Sequence, residues 1–96
     1  MPKAIWNGAV IAEASNDEVH IVENNIYFPA NKVNPAYLKD SDHHSFCGWK
    51  GTADYYHLVV DGKVNENAAW LYRTPEKAAA QITGFIAFWK GVQVQA

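Results

Sequence analysis

The sequence predicts a mainly β (α+β) protein, with one small antiparallel sheet domain over residues 1–96 and one short helix in its C-terminal half. Two dipeptides, Asn7-Gly8 and Asp61-Gly62, each lie between runs of β-branched and aromatic residues, and such dipeptides favour two-residue hairpin turns. A chain of 96 residues is long enough for one hydrophobic core but too short for two. The content of 49% apolar and 19% charged residues is typical of a globular domain.

The first third of the chain predicts four short strands in an antiparallel meander. Asn7-Gly8 turns between the first two strands, and further turns are expected at Ser15-Asn16-Asp17 and at Asn24-Asn25. Pro29 ends the fourth strand, because proline cannot donate a ladder hydrogen bond. The four predicted strands are residues 4–6, 9–12, 19–22 and 26–28.

The middle of the chain predicts a helical turn, a loop and a long hairpin. Asn34 is placed to cap a turn that begins at Pro35. Residues 39–45 are polar without periodicity and predict an exposed loop. Residues 52–60 and 63–70 predict two strands joined by Asp61-Gly62. This register sets Val60 opposite Lys63, Leu58 opposite Asn65 and Tyr56 opposite Asn67.

The end of the chain predicts the single substantial helix and a last strand. Thr74 is the expected cap, Pro75 takes the first helical position, and Gly84 ends the helix. Residues 85–89 are apolar and aromatic enough for a final buried strand. The residues expected to be largely buried are Ile5, Val10, Ile21, Leu58, Ile82, Ile86 and Phe88.

Charge and cysteine content exclude several classes of function. The net charge of −2 and the scattered basic residues predict no nucleic-acid partner. Cys47 is the only cysteine, so neither an intramolecular disulfide nor a cysteine-based zinc cluster can form. Residues 1–8 lack the apolar stretch of a signal peptide, and no apolar run approaches the ~20 residues of a membrane span. We therefore expect a cytoplasmic protein without a membrane partner.

Three segments together resemble the uncharacterised family called domain of unknown function 427. Residues 47–56 (CGWKGTADYY) are similar to its Cys-Pro-Tyr-Lys-Gly-x-Ala-x-Tyr-Tyr motif. Residues 66–75 (ENAAWLYRTP) are similar to Asn-Ala-Ala-Trp-x-Tyr-x-x-Pro, and residues 82–88 (ITGFIAF) to the closing Ile-Ala-Gly-Tyr-x-Ala-Phe. Gly48-Trp49 stands where the family has Pro-Tyr, so the chain keeps a flat ring at position 49 without a tyrosine hydroxyl.

The resemblance implies a small twisted β-sheet fold, tent-like in outline, with a short helix. The family also carries a nucleotidyltransferase-like label. Such chemistry normally holds metal ions with paired acidic residues on a Gly-Ser strand, and this chain lacks that pattern. The resemblance therefore predicts the fold more firmly than it predicts an activity.

Cys47 is the sharpest catalytic candidate, with His43 upstream and Lys50 downstream. A thiolate nucleophile needs a base or a positive neighbour to lower its pKa, and either side chain can supply one. The alternative is an inert buried cysteine, since free cysteine is among the most buried residue types. Lys50 can instead bind a carboxylate or phosphate as a point charge, with Gly51 letting the ligand approach the backbone. The alternative for Lys50 is a solvated lysine at a strand end.

Tyrosines and tryptophans on the two long predicted strands suggest a binding cleft. Such side chains are favoured where an apolar wall meets a wet pocket, although they also fill small cores. The cleft is expected between residues 43–51, residues 27–29 and residues 67–72. The expected binding residues are Tyr27, His44, Trp49, Gly51, Asn67, Trp70 and Tyr72.

Three functions are compatible with these residues. The first is a module that binds a small polar or aromatic molecule in this cleft. The second is a Cys47- or Lys50-dependent enzyme, and the third is an interaction domain such as a homodimer. We expect no cofactor and no metal, because the adjacent His43 and His44 would face opposite ways on a strand.

Overall fold

The computed structural model describes all residues, Met1–Ala96, and confirms the mainly β, antiparallel fold. The helical content is limited to three short 3₁₀ segments, Ala30–Lys32, Pro35–Tyr37 and Lys77–Ile82. None of them has the length and apolar character that a membrane-crossing helix requires. The strands are β1 (Lys3–Trp6), β2 (Ala9–Glu13), β3 (His20–Val22), β4 (Asn25–Tyr27), β5 (Leu38–Cys47), β6 (Gly51–Val60), β7 (Lys63–Leu71), β8 (Ile86–Phe88) and β9 (Gln93–Gln95).

The strands form three antiparallel sheets. Their orders are β2-β1-β9, β3-β4 and β5-β6-β7-β8. Phe28, directly after β4, exchanges two backbone hydrogen bonds of 2.8 Å with Ile86 of β8. The chain after β4 therefore continues the four-stranded sheet at its β8 edge. The predicted last strand is β8, but β9 follows it and pairs with β1.

Both predicted hairpin turns are present. Asn7 and Gly8 have φ angles of 50° and 76°, and Asp61 and Gly62 have 50° and 75°. Positive φ at both central positions is what a type I′ turn requires, and asparagine, aspartate and glycine tolerate it best. The turn expected at Asn24-Asn25 lies one residue earlier, at Glu23 and Asn24, whose φ angles are 52° and 66°.

The predicted exposed loop at residues 39–45 is wrong, because these residues belong to β5. The strand pairs along β6, with His44 opposite Asp54 and Cys47 opposite Gly51. Most of its side chains are exposed on both faces, so no hydrophobic alternation marks it in the sequence. Backbone hydrogen bonding to β6, rather than burial of alternate side chains, makes this segment a strand.

The predicted helix from Thr74 is also wrong in type and in start. The segment is the 3₁₀ helix Lys77–Ile82, broken at Ala79, and it has no side-chain cap. The backbone N–H of Glu76 instead donates 2.9 Å to the carbonyl of Lys50, which ties this region to the start of β6. The smaller cap prediction is confirmed, since the Asn34 side chain accepts from the N–H of Ala36 at 3.0 Å.

The register predicted for the long hairpin holds only near its turn. Val60 pairs with Lys63 and Leu58 with Asn65. Beyond them a β-bulge shifts the strands, so that Tyr56 pairs with Ala69 instead of Asn67. Asn67 has a φ angle of 55°, a left-handed conformation that asparagine adopts more readily than most residues.

The hydrophobic residues form two clusters, one on each face of the four-stranded sheet. Four of the predicted core residues are buried: Leu58, Ile82, Ile86 and Phe88. Ile5 is only half-buried, while Val10 and Ile21 are exposed. A register shift in the β1–β2 hairpin turns Ile11 and Ala12 inward instead of Val10, and Ile21 lies on the uncovered side of β3. The larger cluster contains Ala4, Ile11, Ala12, Ala14, Phe28, Val33, Leu58, Val60, Ala68, Ala69, Leu71, Ile86 and Phe88.

The smaller cluster lies on the opposite face and carries the polar aromatics. Its members are Tyr27, Ala53, Tyr72, Ala79, Ile82 and Ala87, with Val22, Tyr55, Trp70 and Phe85 packed against them. Small residues on the central strands leave room for the aromatic rings, which is why large polar aromatics and alanines alternate here. The candidate site lies on this face.

Candidate functional site

Strand pairing brings the residues of the two long motifs to one sheet face. Tyr55 on β6 lies opposite Trp70 on β7, and Trp70 lies opposite Ala87 on β8. Ala53 lies opposite Ser45 on β5. Because alternate residues of a strand share a face, Cys47, Tyr55 and Trp70 face the same way.

A cavity of about 270 Å³ opens on this face. Trp70 and Trp89 meet nearly perpendicular with ring centroids 5.8 Å apart, and the ring of Tyr55 lies 6.5 Å from each of them. The rings form a corner of apolar walls rather than a closed stack. The residues that line the cavity are Asn25, Lys50, Tyr55, Trp70, Tyr72 and Trp89.

Hydrogen bonds fix the orientation of both tryptophans. The indole N–H of Trp70 donates 3.2 Å to the Tyr27 hydroxyl, and the indole N–H of Trp89 donates 2.6 Å to the carbonyl of Asn67. The N–H of a tryptophan at the border between an apolar wall and solvent usually finds such an acceptor. Tyr27 and Asn67 thus position the cavity walls without lining them.

Lys50 is the one buried charged residue, with 7% of its surface exposed. Its ammonium group pairs with the carboxylate of Glu23 and lies 5.4 Å from the ring centre of Trp49 and 5.5 Å from that of Tyr72. Aromatic faces attract cations through their quadrupole, so these rings add to the stabilisation of the charge. The result is a buried cation beside an aromatic cavity.

The surroundings of Lys50 keep it charged. Burial is the largest effect on its pKa and lowers it, but the hydrogen bond to Glu23 and the electrostatic influence of Tyr27 and Tyr72 together raise the pKa above its ordinary value. The same hydrogen bond lowers the pKa of Glu23. Burial raises the pKa of Tyr27 and of Tyr72, so both tyrosines stay neutral hydrogen-bonding groups at neutral pH.

The backbone around Lys50 is fixed on both sides. Its N–H donates 3.2 Å to the carbonyl of Cys47, which closes the turn between β5 and β6. Gly51 follows with a φ angle of 108°, and a Cβ atom there would meet the backbone of residues 74–76 at 3.5–3.6 Å. Those distances are ordinary contacts, so the positive φ angle is what favours glycine at position 51, and residues 74–76 lie where the sequence had suggested the approach of a ligand.

Of the three predicted catalytic residues, His43 and Cys47 do not form a nucleophile–base pair. Cys47 is half-buried and lies at the end of β5, opposite Gly51. His43 is exposed and packs against the ring of Tyr55 at 4.6 Å. Four residues of extended strand separate the Cα atoms of His43 and Cys47 by roughly 13 Å, beyond hydrogen-bond reach.

His44 lies on the other face of the sheet, away from the cavity. Its Nδ1 is 2.7 Å from Asp54, which also accepts a 2.9 Å hydrogen bond from Arg73. This exposed cluster shares the face of the larger hydrophobic cluster. No three His, Cys, Asp or Glu side chains converge into a group that could hold a metal ion.

A second, wider cavity of about 420 Å³ lies between residues 10–13 and residues 31–35. It contains no aromatic side chain, and its two charged residues are exposed. Glu13 pairs with Lys3, and Lys32 pairs with Glu18. Although it is larger, it offers none of the buried polar groups that fix a ligand's orientation.

The structure brings three of the predicted site residues, Lys50, Trp70 and Tyr72, to the cavity itself. Sequence reasoning missed Glu23 and Asn25, because nothing in the sequence links a turn before β4 to a motif 27 residues later. Tyr55 and Trp89 were also missed as lining residues. The pairing of Tyr55 with Trp70 depends on the β-bulge, which nothing in the sequence marks.

The comparisons with known proteins agree with the motifs. No curated protein is significantly similar to the chain. The sequence model of one family, described as "Domain of unknown function (DUF427)", matches residues 2–96. The match includes every strand and the whole cavity. The chain belongs to the DUF427 family.

Proposed function

We propose that this domain is a binding module for a small planar molecule that carries a polar group, held in the cavity of about 270 Å³. One observation carries the proposal: a buried, charged Lys50 lies beside a corner of aromatic rings. Small-molecule sites commonly combine apolar and aromatic walls with a few fixed polar groups that orient the ligand. This cavity has that composition.

The size and the walls define the ligand further. Typical sites for drug-sized ligands measure roughly 300–1,000 Å³, so a ligand here is at the small end of that range. The rings of Trp70, Trp89 and Tyr55 offer flat surfaces against which a planar ligand can stack. Asn25 adds an amide that can both donate and accept hydrogen bonds.

The alternative of a Lys50-dependent enzyme has less support. A lysine that attacks a carbonyl must be a free amine, and enzymes obtain one by lowering its pKa. Lys50 is paired with Glu23 and its pKa is raised, which favours the ammonium form. A Cys47-dependent enzyme would need a base other than His43, which lies four residues away along the same strand.

A thermal-shift screen of small planar compounds, followed by tryptophan fluorescence titration, tests the binding proposal. A ligand that binds only the folded state raises the melting temperature. Trp89→Ala, which removes one cavity wall, should weaken binding of any compound found by at least about tenfold. Phe46→Ala removes an exposed ring from β5 on the opposite face and is the matched control. Equal affinities in the two variants would place the compound outside this cavity.

Three further measurements separate the other candidate functions. In a pure binding module, Cys47→Ser should leave the affinity within about twofold, because the thiol does not line the cavity. Rapid alkylation of Cys47 at about pH 6, lost in Lys50→Ala, would instead favour thiol chemistry. A concentration-dependent dimer in sedimentation experiments, with no compound binding, would favour the interaction domain.

A further inference from the structure

The two partners of the Lys50–Glu23 ion pair differ greatly in how firmly they are held. Lys50 is buried, and its backbone is hydrogen-bonded to both Cys47 and Glu76. The Glu23 side chain is 53% exposed and projects from the tight turn between β3 and β4. Lys50 is therefore the fixed member of the pair, and Glu23 is the one that can leave.

The turn that carries Glu23 also borders the cavity. Val22 pairs with Asn25, so Glu23 and Asn24 are the two central residues of the turn. Asn25, at its end, lines the cavity together with Lys50. The carboxylate of Glu23 thus contacts Lys50 next to the space where a ligand would lie.

Glutamate is a poor choice for this turn on backbone grounds. Glu23 has a φ angle of 52°, and residues with a Cβ and a long side chain are disfavoured in this left-handed region. Asparagine, aspartate and glycine are the usual residues at both positions of such turns. The turn geometry therefore does not account for a glutamate at position 23, whereas the ion pair with Lys50 does.

We infer that Glu23 occupies the place of a ligand's anionic group, and that the molecule bound in this cavity is a small planar carboxylate that displaces Glu23 from Lys50. This inference rests on the proposed binding function and names its ligand class. A buried cation left without a partner is strongly unfavourable, so only another anion can replace Glu23. A ligand carboxylate can accept a charge-assisted hydrogen bond from the Lys50 ammonium group as Glu23 does, while the ligand's ring stacks against the aromatic walls.

The test uses matched acids and amides as probes. Benzoate and benzamide have the same shape and differ in charge, and 2-naphthoate and 2-naphthamide repeat the comparison at larger size. Binding is measured by calorimetry to the wild-type domain, E23Q, K50M and E13Q. E13Q removes an exposed, ion-paired glutamate from β2 and controls for the change in net charge.

We expect each acid to bind the wild type at least about tenfold more tightly than its amide, because only the acid replaces Glu23. E23Q should tighten acid binding by a further factor of about five to ten, since the internal competitor is gone. The same substitution should leave amide binding unchanged, and E13Q should change acid binding less than about twofold. K50M should abolish the preference for the acid.

Several results would overturn the inference. Amides that bind as tightly as the acids would leave the binding function standing but refute the anionic ligand class. Unchanged acid affinity in a folded E23Q would show that Glu23 does not compete, and failure of both acids to bind the wild type and a folded E23Q would refute the site as an anion site. If circular dichroism shows K50M or E23Q unfolded, the acid–amide comparison in the wild type and E13Q decides the question alone.

Discussion

The carbonyl oxygen of Asn67 accepts a 2.6 Å hydrogen bond from the indole N–H of Trp89. Asn67 is the bulge residue of β7, and its conformation is held by two further hydrogen bonds. Its side-chain oxygen accepts from the Ser41 hydroxyl, and its N–H donates 3.0 Å to Nδ1 of His57. An irregularity between two strands therefore sets the direction of one wall of the cavity.

We expect Asn67→Ala to be less stable than Asn67→Gly by about 1–2 kcal/mol in the free energy of unfolding. Both variants lose the hydrogen bond from Ser41, so the difference between them isolates the cost of a Cβ at a φ angle of 55°. Urea denaturation of the two variants measures it. An alanine variant as stable as the glycine variant would show that the bulge relaxes.

Gly51→Ala should destabilise the domain by about 1–3 kcal/mol, because its φ angle of 108° strains any residue with a Cβ. The added methyl group would also touch the backbone of residues 74–76. Gly48→Ala, three residues earlier in the same turn region, meets nothing within 4 Å and should change stability by less than about 0.5 kcal/mol. Equal melting curves for the two variants would contradict this account of Gly51.

Phe88→Ala should lower the free energy of unfolding by about 3–5 kcal/mol, since its ring is buried and packs edge-on against Phe28 at 5.8 Å. Ile21→Ala removes an apolar side chain that is 66% exposed and should cost less than about 0.5 kcal/mol. Chemical denaturation of both variants provides the comparison. A Phe88→Ala variant that unfolds like the wild type would place the ring outside the core.

Stability should fall as the pH rises above about 10. Burial raises the pKa of Tyr27 and Tyr72 above the ordinary 10.0, so the unfolded chain loses these protons first and stability declines with pH. Lys50 acts in the same direction, because its pKa is raised in the folded state and its contribution is lost as pH passes that value. Urea denaturation between about pH 8 and pH 11 measures the slope.

Tyr72→Phe provides the check on this pH dependence, because phenylalanine has no proton to lose. The free energy of unfolding should fall more steeply for the wild type than for the variant as the pH rises from about 8 to about 11. Equal slopes for the two proteins would mean that Tyr72 does not contribute to the alkaline loss of stability.

Local chemistry made the turns predictable and left the long edge strand hidden. Asn7-Gly8 and Asp61-Gly62 specify their turns through backbone preference alone, so both were predicted correctly. β5 has no such marker, because its side chains are exposed on both sides and its pairing depends on β6. The bulge at Asn67 was missed for the same reason, since it is a property of two strands together.

The candidate site also contains residues that the sequence predicted and residues that it could not. Lys50, Trp70 and Tyr72 were predicted because they belong to motifs on neighbouring strands. Glu23 belongs to another part of the chain, and only the folded structure brings its carboxylate to Lys50. His44 was expected to line the cleft, but its side chain points to the opposite face of the sheet. The face to which a side chain points depends on the strand register, and residues 39–45 were predicted to be a loop without one.

The long edge strand β5 has a consequence for how the domain behaves at high concentration. It forms the outer margin of the four-stranded sheet, where unpaired backbone groups can serve as a template for a strand of another molecule. Lys39, Asp40 and Asp42 are exposed along this margin, and the pairing with β6 is irregular between Asp40 and His44. Charge and distortion of this kind discourage one sheet from growing onto the next. Because these residues are polar, no hydrophobic alternation marks β5 in the sequence. The same polar residues disfavour fibrous self-association of the domain through this edge.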